Sequence, residues 1–110
     1  MTVQTPSPEV ILSLASQLAD VAAEQTLKWF RAPALVTQNK WAEGFDPVTE
    51  ADRAAEAAMR ALLKVQRPDD SVIGEEAQNT VGTSGLSWVL DPIDGTRGYV
   101  SGTPTWGTLI

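Results

Sequence analysis

The stretch that most constrains the fold lies near the end of the chain, at residues 88–96, and reads Trp-Val-Leu-Asp-Pro-Ile-Asp-Gly-Thr. An apolar run typical of a strand leads into Asp91, and Asp94 follows three residues later. Pro92 has no backbone donor, so we expect it to end the strand. The pattern predicts two carboxylates at the C-terminal edge of a strand. Ile93 is expected to lie in a turn, with its carbonyl oxygen pointing the same way as the carboxylates.

The chemistry of this stretch is that of hard oxygen donors beside a glycine. Such donors suit Mg²⁺, which takes its remaining ligands from water and a substrate phosphate. Gly95 allows the backbone to approach a ligand closely, so that the N–H groups around Thr96 face an anion. However, Asp-Pro and Asp-Gly are also ordinary turn dipeptides. The spacing alone therefore favours a metal site and a plain turn equally.

The N-terminal part of the chain predicts a long amphipathic helix. Ser7 can cap it, Pro8 suits its first position, and Glu9 favours the positive end of the helix dipole. The helix should run to about Phe30, because apolar residues recur at helical spacing up to that point. This stripe comprises Ile11, Leu14, Ala15, Leu18, Ala22 and Trp29. The polar face is not basic, so packing on a sheet is favoured over binding to a membrane or a partner.

A second helix is predicted to open at a capping box, Thr49 to Asp52, with Asp in place of the usual Glu. It should run to about Gln66, and Pro68 stops it. Its buried stripe comprises Ala55, Met59, Leu62 and Leu63. Asp52 has two roles open to it, since a carboxylate in the first turn can cap the helix or project into a site. The sequence by itself favours the cap.

Short strands are predicted at residues 35–37 and 72–73, and the second runs into Gly74-Glu75-Glu76. Adjacent glutamates on a strand point to opposite faces, so only one of them should be a direct metal ligand. A Glu-Glu pair standing alone is also typical of solvated surface charge. Residues 77–85 are rich in Gly, Thr, Ser and Asn and predict a mobile loop or a hairpin arm.

Composition excludes several classes of function. The 110 residues form one expected domain, carry a net charge of −6 and contain neither cysteine nor histidine. Thiolate sites, imidazole-bound zinc and Ser-His triads are therefore excluded, which leaves carboxylate and metal chemistry for hydrolysis. An acidic chain without basic clusters is not expected to bind nucleic acid. No signal-like start or membrane-length apolar run is present, so we expect a cytoplasmic protein that does not bind membranes.

Residues 91–96 closely resemble the signature of the inositol monophosphatase superfamily of Mg²⁺-dependent, lithium-sensitive phosphomonoesterases. Residues 46–52, Asp-Pro-Val-Thr-Glu-Ala-Asp, resemble its first motif, and residues 73–76, Ile-Gly-Glu-Glu, resemble its second. The three motifs occur in the family's order. Residues 97–110 look most like the histidinol-phosphatase branch. The resemblance covers about residues 40–110, and the first forty residues resemble the family only as a leading helix.

The resemblance implies a set of metal ligands. Glu75 would be the bridging ligand, and Asp91 would be shared between metal ions. Ile93 would bind through its backbone oxygen, and Asp94 would bind the second metal ion. Glu76 would support these ligands from behind without binding metal directly.

The resemblance also implies catalytic and substrate-binding residues. Asp52 and Thr96 would hold and polarise the water that attacks phosphorus, with Glu75 counted among the catalytic residues, so the resemblance reverses the preference for Asp52 as a cap. Asp94, Gly95 and Thr96 would bind the substrate phosphate. Lys40 is a further candidate, because the family often places a lysine shortly before its first motif.

The implied fold is an incomplete layered α/β (α+β) sugar-phosphatase fold, with two N-terminal helices packed on the start of a sheet. Residues 1–110 would be the N-terminal part of a single phosphatase domain, truncated after Ile110, because family members continue with a second half that supplies another metal-binding aspartate and the substrate contacts. We therefore expect the chain alone to be marginally stable and to have little or no activity.

The implied function is that of a Mg²⁺-dependent phosphoric monoester hydrolase that uses metal-activated water on a small phosphorylated metabolite. The favoured substrate is histidinol phosphate, in histidine biosynthesis, and inositol 1-phosphate is the alternative. A homodimer is a possible assembly of the full-length protein. A hypothesis of another class is an inactive fragment that acts only through association with a partner or with itself.

Overall fold

The computed structural model describes residues 6–31 and 47–110. Its helices are α1 (Pro8–Trp29), α2 (Pro47–Gln66) and α3 (Thr96–Ser101), and its strands are β1 (Ser71–Gly74), β2 (Ser87–Asp94) and β3 (Gly107–Leu109). The strand predicted at residues 35–37, the candidate Lys40 and Asp46 of the first motif lie outside the described residues.

Helix α1 forms as predicted. The Ser7 hydroxyl accepts a hydrogen bond from the Val10 backbone N–H at 3.3 Å, and Pro8 occupies the first turn, where it sacrifices no intrahelical hydrogen bond. The helix ends at Trp29, one residue before the predicted end. The capping and periodicity arguments are confirmed.

Helix α2 begins at Pro47, two residues earlier than Thr49. The predicted capping box is therefore wrong, because Thr49 and Asp52 lie inside the helix rather than at its cap. The physical reason is that a proline is well suited to the first turn, so the helix can start at it. The predicted end at Gln66 is confirmed.

The sheet has the order β1-β2-β3, and its two pairings differ in direction. Strand β1 pairs parallel to β2, from Ser71 opposite Ser87 to Gly74 opposite Leu90. Beyond Leu90, strand β2 pairs antiparallel to β3.

The prediction that Pro92 ends the strand is wrong. Strand β2 continues to Asp94, because it exchanges β1 for β3 as its partner just before the proline. Pro92 itself lies in an irregular part of the new pairing, where a missing donor costs little. Ile93 is consequently a strand residue, 4% exposed, and not a turn residue.

The helices cover one face of the sheet. The main core joins α1, α2 and the inward face of β1 and β2, and its buried members are Leu14, Leu18, Ala22, Ala55, Met59, Leu63, Val72 and Leu90. On the opposite face Ile73 and Val89 lie side by side in register and are 40% and 59% exposed. The layered α/β prediction is confirmed, with two helices packed against a small mixed sheet.

A second cluster packs where β2 ends and α3 begins. Tyr99 of α3 is fully buried with Ile93 and packs against the rings of Phe30 and Trp106, with centroid distances of 5.5 and 5.0 Å. The Tyr99 hydroxyl donates a hydrogen bond of 2.8 Å to the carbonyl oxygen of Thr26 in α1. This hydrogen bond connects α3 to α1, and Ile93 near the end of β2 packs in the same cluster as these aromatic rings.

Candidate active site

Three elements bring carboxylates to the C-terminal edge of the parallel strands. Asp52 comes from α2, Glu75 and Glu76 come from the bend after β1, and Asp91 comes from β2. Because the last parallel pair joins Gly74 to Leu90, the residues that follow, Glu75 just beyond β1 and Asp91 within β2, come next to each other at this edge. The parallel register thus accounts for their proximity.

Strand β2 is irregular between Asp91 and Asp94. In a regular strand, residues three apart point to opposite faces. Asp91 pairs with Leu109 and Asp94 pairs with Gly107. Two residues of β2 therefore lie opposite the single residue Thr108 of β3, and the extra residue bends the strand. As a result Asp94 is near enough for its negative charge to help raise the pKa of Asp91, after burial and the charge of Glu75.

The electrostatics of the site are dominated by crowded negative charge. Burial, followed by the charges of Glu76, Asp91 and Glu75, raises the pKa of Asp52 to about 7. Hydrogen bonding from the Ile93 backbone opposes this rise. The cluster is therefore a place where a cation would relieve repulsion between carboxylates.

The side chains are not arranged around a common metal position. Among residues 6–31 and 47–110, no three acidic side chains form a group able to hold a metal ion as they stand. The donor set nevertheless fits a hard divalent cation, because every side-chain donor is a carboxylate, and burial together with the neighbouring negative charges raises the pKa of Asp52 and of Asp91. Binding would require the carboxylates to turn toward one point.

The two adjacent glutamates have different surroundings. Glu76 is half-buried, and its carboxylate lies 3.7 Å from Nε of Arg53. Glu75 is exposed, and its charge raises the pKa of both Asp52 and Asp91. The charge of Glu75 thus acts on both Asp52 and Asp91, whereas the Glu76 carboxylate also lies near the positive charge of Arg53.

Gly95 and Thr96 form the junction between β2 and α3. Gly95 has φ 87°, in the left-handed region, and a Cβ atom there would lie 2.6 Å from the Thr105 carbonyl oxygen. Only glycine fits this position without strain. Thr96 is the exposed first residue of α3. No hydrogen bond joins it to Asp52 in the part of the chain that the structure describes.

Sequence reasoning missed Glu56, which lies one helical turn after Asp52. Its side chain is 1% exposed and accepts hydrogen bonds from the backbone N–H groups of Glu76 (3.2 Å) and Ala77 (2.9 Å). A signal was present, because Glu56 directly follows the buried Ala55 on a face that the predicted stripe places against the sheet. A charged residue there needs a partner.

The fold and the site together define a class: a layered α/β protein that collects carboxylates from a helix and from the ends of two parallel strands. No helix in the described ranges has both the length and the apolar character needed to cross a bilayer. Residues 7–110 match the inositol monophosphatase family, and the chain belongs to that family. The family resemblance of the sequence motifs is confirmed.

Several characterised proteins are similar to this chain. It is 48% identical to a histidinol-phosphatase of Streptomyces coelicolor, covering 90% of this chain and 36% of that protein. It is 44% identical to a histidinol-phosphatase of Mycobacterium tuberculosis, covering 90% and 37%. A solved structure of an inositol monophosphatase from Zymomonas mobilis superposes with a TM-score of 0.72 at 42% identity, covering 96% and 39%. The chain therefore spans less than two fifths of the length of these relatives.

Proposed function

We propose that this chain is the N-terminal part of a single phosphatase domain and supplies metal- and phosphate-binding residues to a Mg²⁺-dependent phosphomonoesterase. The observation that carries the proposal is the convergence of Asp52, Glu75 and Asp91. Burial and the neighbouring charges, those of Asp91 and Glu75 among them, raise the pKa of Asp52, and burial and the charge of Glu75 raise the pKa of Asp91. A site where carboxylates repel one another is suited to bind cations, and a bound cation in turn attracts a phosphate group. Membership of the inositol monophosphatase family supports the same assignment.

In this proposal each residue of the site has a role at a stated atom. The carboxylates of Glu75, Asp91 and Asp94 and the carbonyl oxygen of Ile93 would hold Mg²⁺. When bound, the metal would neutralise the phosphate and lower the pKa of a water molecule. Asp52 would orient the attacking water and accept its proton, as a general base does, with the Thr96 hydroxyl as the second contact.

Phosphate recognition falls to the junction of β2 and α3. The backbone around Gly95 would approach the phosphate oxygens, because a residue without Cβ leaves that approach open. Asp94 would act from the same junction, by helping to hold the metal ion that neutralises the phosphate. Tyr99 keeps the junction in place through its buried hydrogen bond to α1.

The preferred substrate is histidinol phosphate, and inositol 1-phosphate is the second candidate. The first is supported by similarity to two histidinol-phosphatases, and the second by the 42% identity to the inositol monophosphatase from Zymomonas mobilis. The product of the complete gene, assayed with both substrates in Mg²⁺, should show a kcat/KM at least about tenfold higher for histidinol phosphate, a difference of about 1.4 kcal/mol. The reverse ratio would favour the inositol phosphate.

The change Asp91→Asn tests the site itself. It removes the charge of a proposed metal ligand with almost no change in volume, so kcat should fall at least about 100-fold while the fold is retained. Phosphate release measures the first, and circular dichroism with thermal melting measures the second. Asp69→Asn, at the exposed turn after α2, is the matched control and should retain full activity. Normal Mg²⁺-dependent turnover by Asp91→Asn would refute the assignment.

A hypothesis of another class is a protein that acts by association, through the exposed face of its sheet or the edge at β3. The exposed Ile73 and Val89 favour it, because apolar side chains in register on an open sheet are typical of an interface. Strong Mg²⁺-dependent phosphate release by the complete gene product would exclude this hypothesis as the main function.

A further inference from the structure

Three charged residues follow one another along a single face of α2. Asp52, Glu56 and Arg60 are spaced by four residues, which places them on successive turns of the same face. Asp52 belongs to the carboxylate cluster, whereas Glu56 and Arg60 contact the segment that follows β1. The face therefore joins the proposed catalytic site to a set of backbone contacts after β1.

Glu56 binds the backbone on the C-terminal side of Glu75. Its Oε1 accepts a hydrogen bond from the Glu76 N–H (3.2 Å), and its Oε2 accepts one from the Ala77 N–H (2.9 Å). On the other side of Glu75, a Cβ atom at Gly74 would overlap the Glu56 carboxylate. The carboxylate thus fits against the chain both before and after Glu75.

Arg60 completes the contact from the next turn of the helix. Its Nε lies 3.1 Å from Oε2 of Glu56, and its Nη2 donates to the Ala77 carbonyl oxygen at 3.2 Å. Its Nη1 donates to the Gln78 carbonyl oxygen at 3.1 Å. The planar guanidinium therefore neutralises Glu56 and binds two backbone carbonyls at once, a geometry that lysine cannot reproduce.

We infer that Glu56 and Arg60 are positioning residues, a clamp that fixes the backbone on both sides of Glu75, the proposed metal ligand beside Asp52. The inference rests on the proposed function for its catalytic consequence, but the clamp itself rests on the contacts above. Fixed backbone on both sides of Glu75 leaves only its side-chain rotamers free. Little conformational entropy would then be lost when Glu75 binds a metal ion, which increases the affinity for the metal.

The control for the clamp is a second buried ion pair at the opposite end of α2. Arg67 binds Asp70 through Nε (2.7 Å) and Nη2 (2.8 Å), and Asp70 is 2% exposed. The hydrogen bonds that Glu56 and Arg60 make to residues 76–78 do not involve this pair, and Asp70 instead accepts one from Ser84, farther along the loop. Asp70→Asn should therefore lower stability without affecting the carboxylate cluster.

The first experiment measures amide hydrogen exchange in the product of the complete gene without metal. Glu56→Gln keeps the size of the side chain but places an NH₂ donor where an oxygen now accepts a hydrogen bond. We expect the Glu76 and Ala77 amides to exchange at least about tenfold faster in Glu56→Gln and at an unchanged rate in Asp70→Asn. Unchanged protection in Glu56→Gln would overturn the clamp, whatever the protein catalyses.

The second experiment measures Mg²⁺ affinity by calorimetry, together with the Mg²⁺ concentration for half-maximal turnover. Supporting residues behind a metal site typically change affinity about 10–100-fold, and we expect this loss for Glu56→Gln, a smaller one for Arg60→Lys and none for Asp70→Asn. KM for substrate at saturating Mg²⁺ should change little. If all three variants melt earlier but keep the wild-type Mg²⁺ affinity, the pair is only structural and the inference is wrong.

The two experiments separate the inference from the proposed function. A wild-type protein that neither binds Mg²⁺ nor releases phosphate would refute the proposed function, while hydrogen exchange would still decide whether the clamp exists. Should Glu56→Gln fail to fold, Arg60→Lys provides both tests, because it keeps the charge beside Glu56 and removes the guanidinium contacts to the Ala77 and Gln78 carbonyl oxygens and to the Thr80 hydroxyl.

Discussion

Asp70 concentrates four hydrogen bonds on one buried carboxylate. Two come from Arg67, one from the Ser84 hydroxyl at 2.6 Å and one from the Trp88 indole N–H at 2.9 Å. These donors come from the turn after α2, the following loop and β2, so one residue joins three parts of the chain. The loop predicted to be mobile is anchored here and by Arg60.

The stability of the protein should depend on the charge of Asp70. Burial would raise the pKa of Asp70, but hydrogen bonds from Arg67, Ser84 and Trp88 outweigh it and hold the pKa below the ordinary value of 3.8. A lowered pKa in the folded state adds stability above about pH 4 that is lost as the pH falls through the folded pKa. Asp70→Asn should therefore cost about 2 kcal/mol at pH 7 and less at pH 3, where the unfolded chain already binds a proton at this carboxylate.

Urea unfolding of the wild type and the variant at both pH values checks this expectation. Asp69→Asn is the control, because its exposed side chain is expected to change stability by less than about 0.5 kcal/mol at either pH. An equal cost of Asp70→Asn at pH 7 and pH 3 would show that the charge of Asp70 is not responsible.

The junction of β2 and α3 is the element on which the proposed phosphate site depends. The bulge in β2 lies between Asp91 and Asp94, and Gly95, with a left-handed φ, then leads the chain into α3. Tyr99, one turn into α3, fastens the helix to α1. The element therefore combines a strand irregularity, a left-handed residue and a buried aromatic ring.

Gly95→Ala should destabilise the protein more than Gly85→Ala. Both glycines have left-handed φ values, 87° and 84°, so alanine pays a conformational cost of about 1–2 kcal/mol at either position. Only at Gly95 would the new Cβ meet the Thr105 carbonyl oxygen, whereas Gly85 has open space around it. Denaturant unfolding of both variants measures the difference, which we expect to exceed about 1 kcal/mol. An equal loss of stability in both variants would mean that the backbone around Thr105 moves to accommodate the new Cβ without a free-energy cost.

At the scale of the whole molecule, the acidic charge is unevenly placed. The chain carries a net charge of −6, and five carboxylates, those of Asp52, Glu75, Glu76, Asp91 and Asp94, gather at one edge of the sheet. The helices supply the core on one side of the sheet, while the site lies at its edge. Folding therefore brings like charges together at the site, which lowers the stability of the folded state. A bound cation should reduce this repulsion and stabilise the folded state.

Mg²⁺ should consequently stabilise the protein against heat. A ligand that binds only the folded state at 100 times its Kd adds about 2.7 kcal/mol, which raises Tm by several degrees. EDTA should reverse the gain, and Asp91→Asn should lack it. NaCl at equal ionic strength is the control, since general screening would act in both salts. An equal rise of Tm in NaCl and in Mg²⁺ would argue against a specific metal site.

Much of the framework was predictable from local sequence. Helix α1, the end of α2 and strand β1 follow from capping residues, apolar periodicity and flanking turns, which are signals carried by near neighbours in the chain. The errors at Thr49 and Pro92 have a common cause, because each residue was assigned its most frequent local role. Helix α2 begins earlier, at Pro47, and strand β2 continues past Pro92 because it changes its partner from β1 to β3. Both effects override the local preference of the residue.

The sequence by itself determined the order of the acidic motifs, and their resemblance to those of the family predicts Asp52, Glu75 and Asp91 as site residues, although spacing alone favours a helix cap for Asp52. Only the tertiary structure decided how they meet, through the parallel register of β1 and β2 and the bulge at Pro92 and Ile93. It also decided that Glu56 supports them, a role that depends on backbone N–H groups twenty residues away in the chain. Contacts of that range are set by packing, which no local pattern of residues encodes.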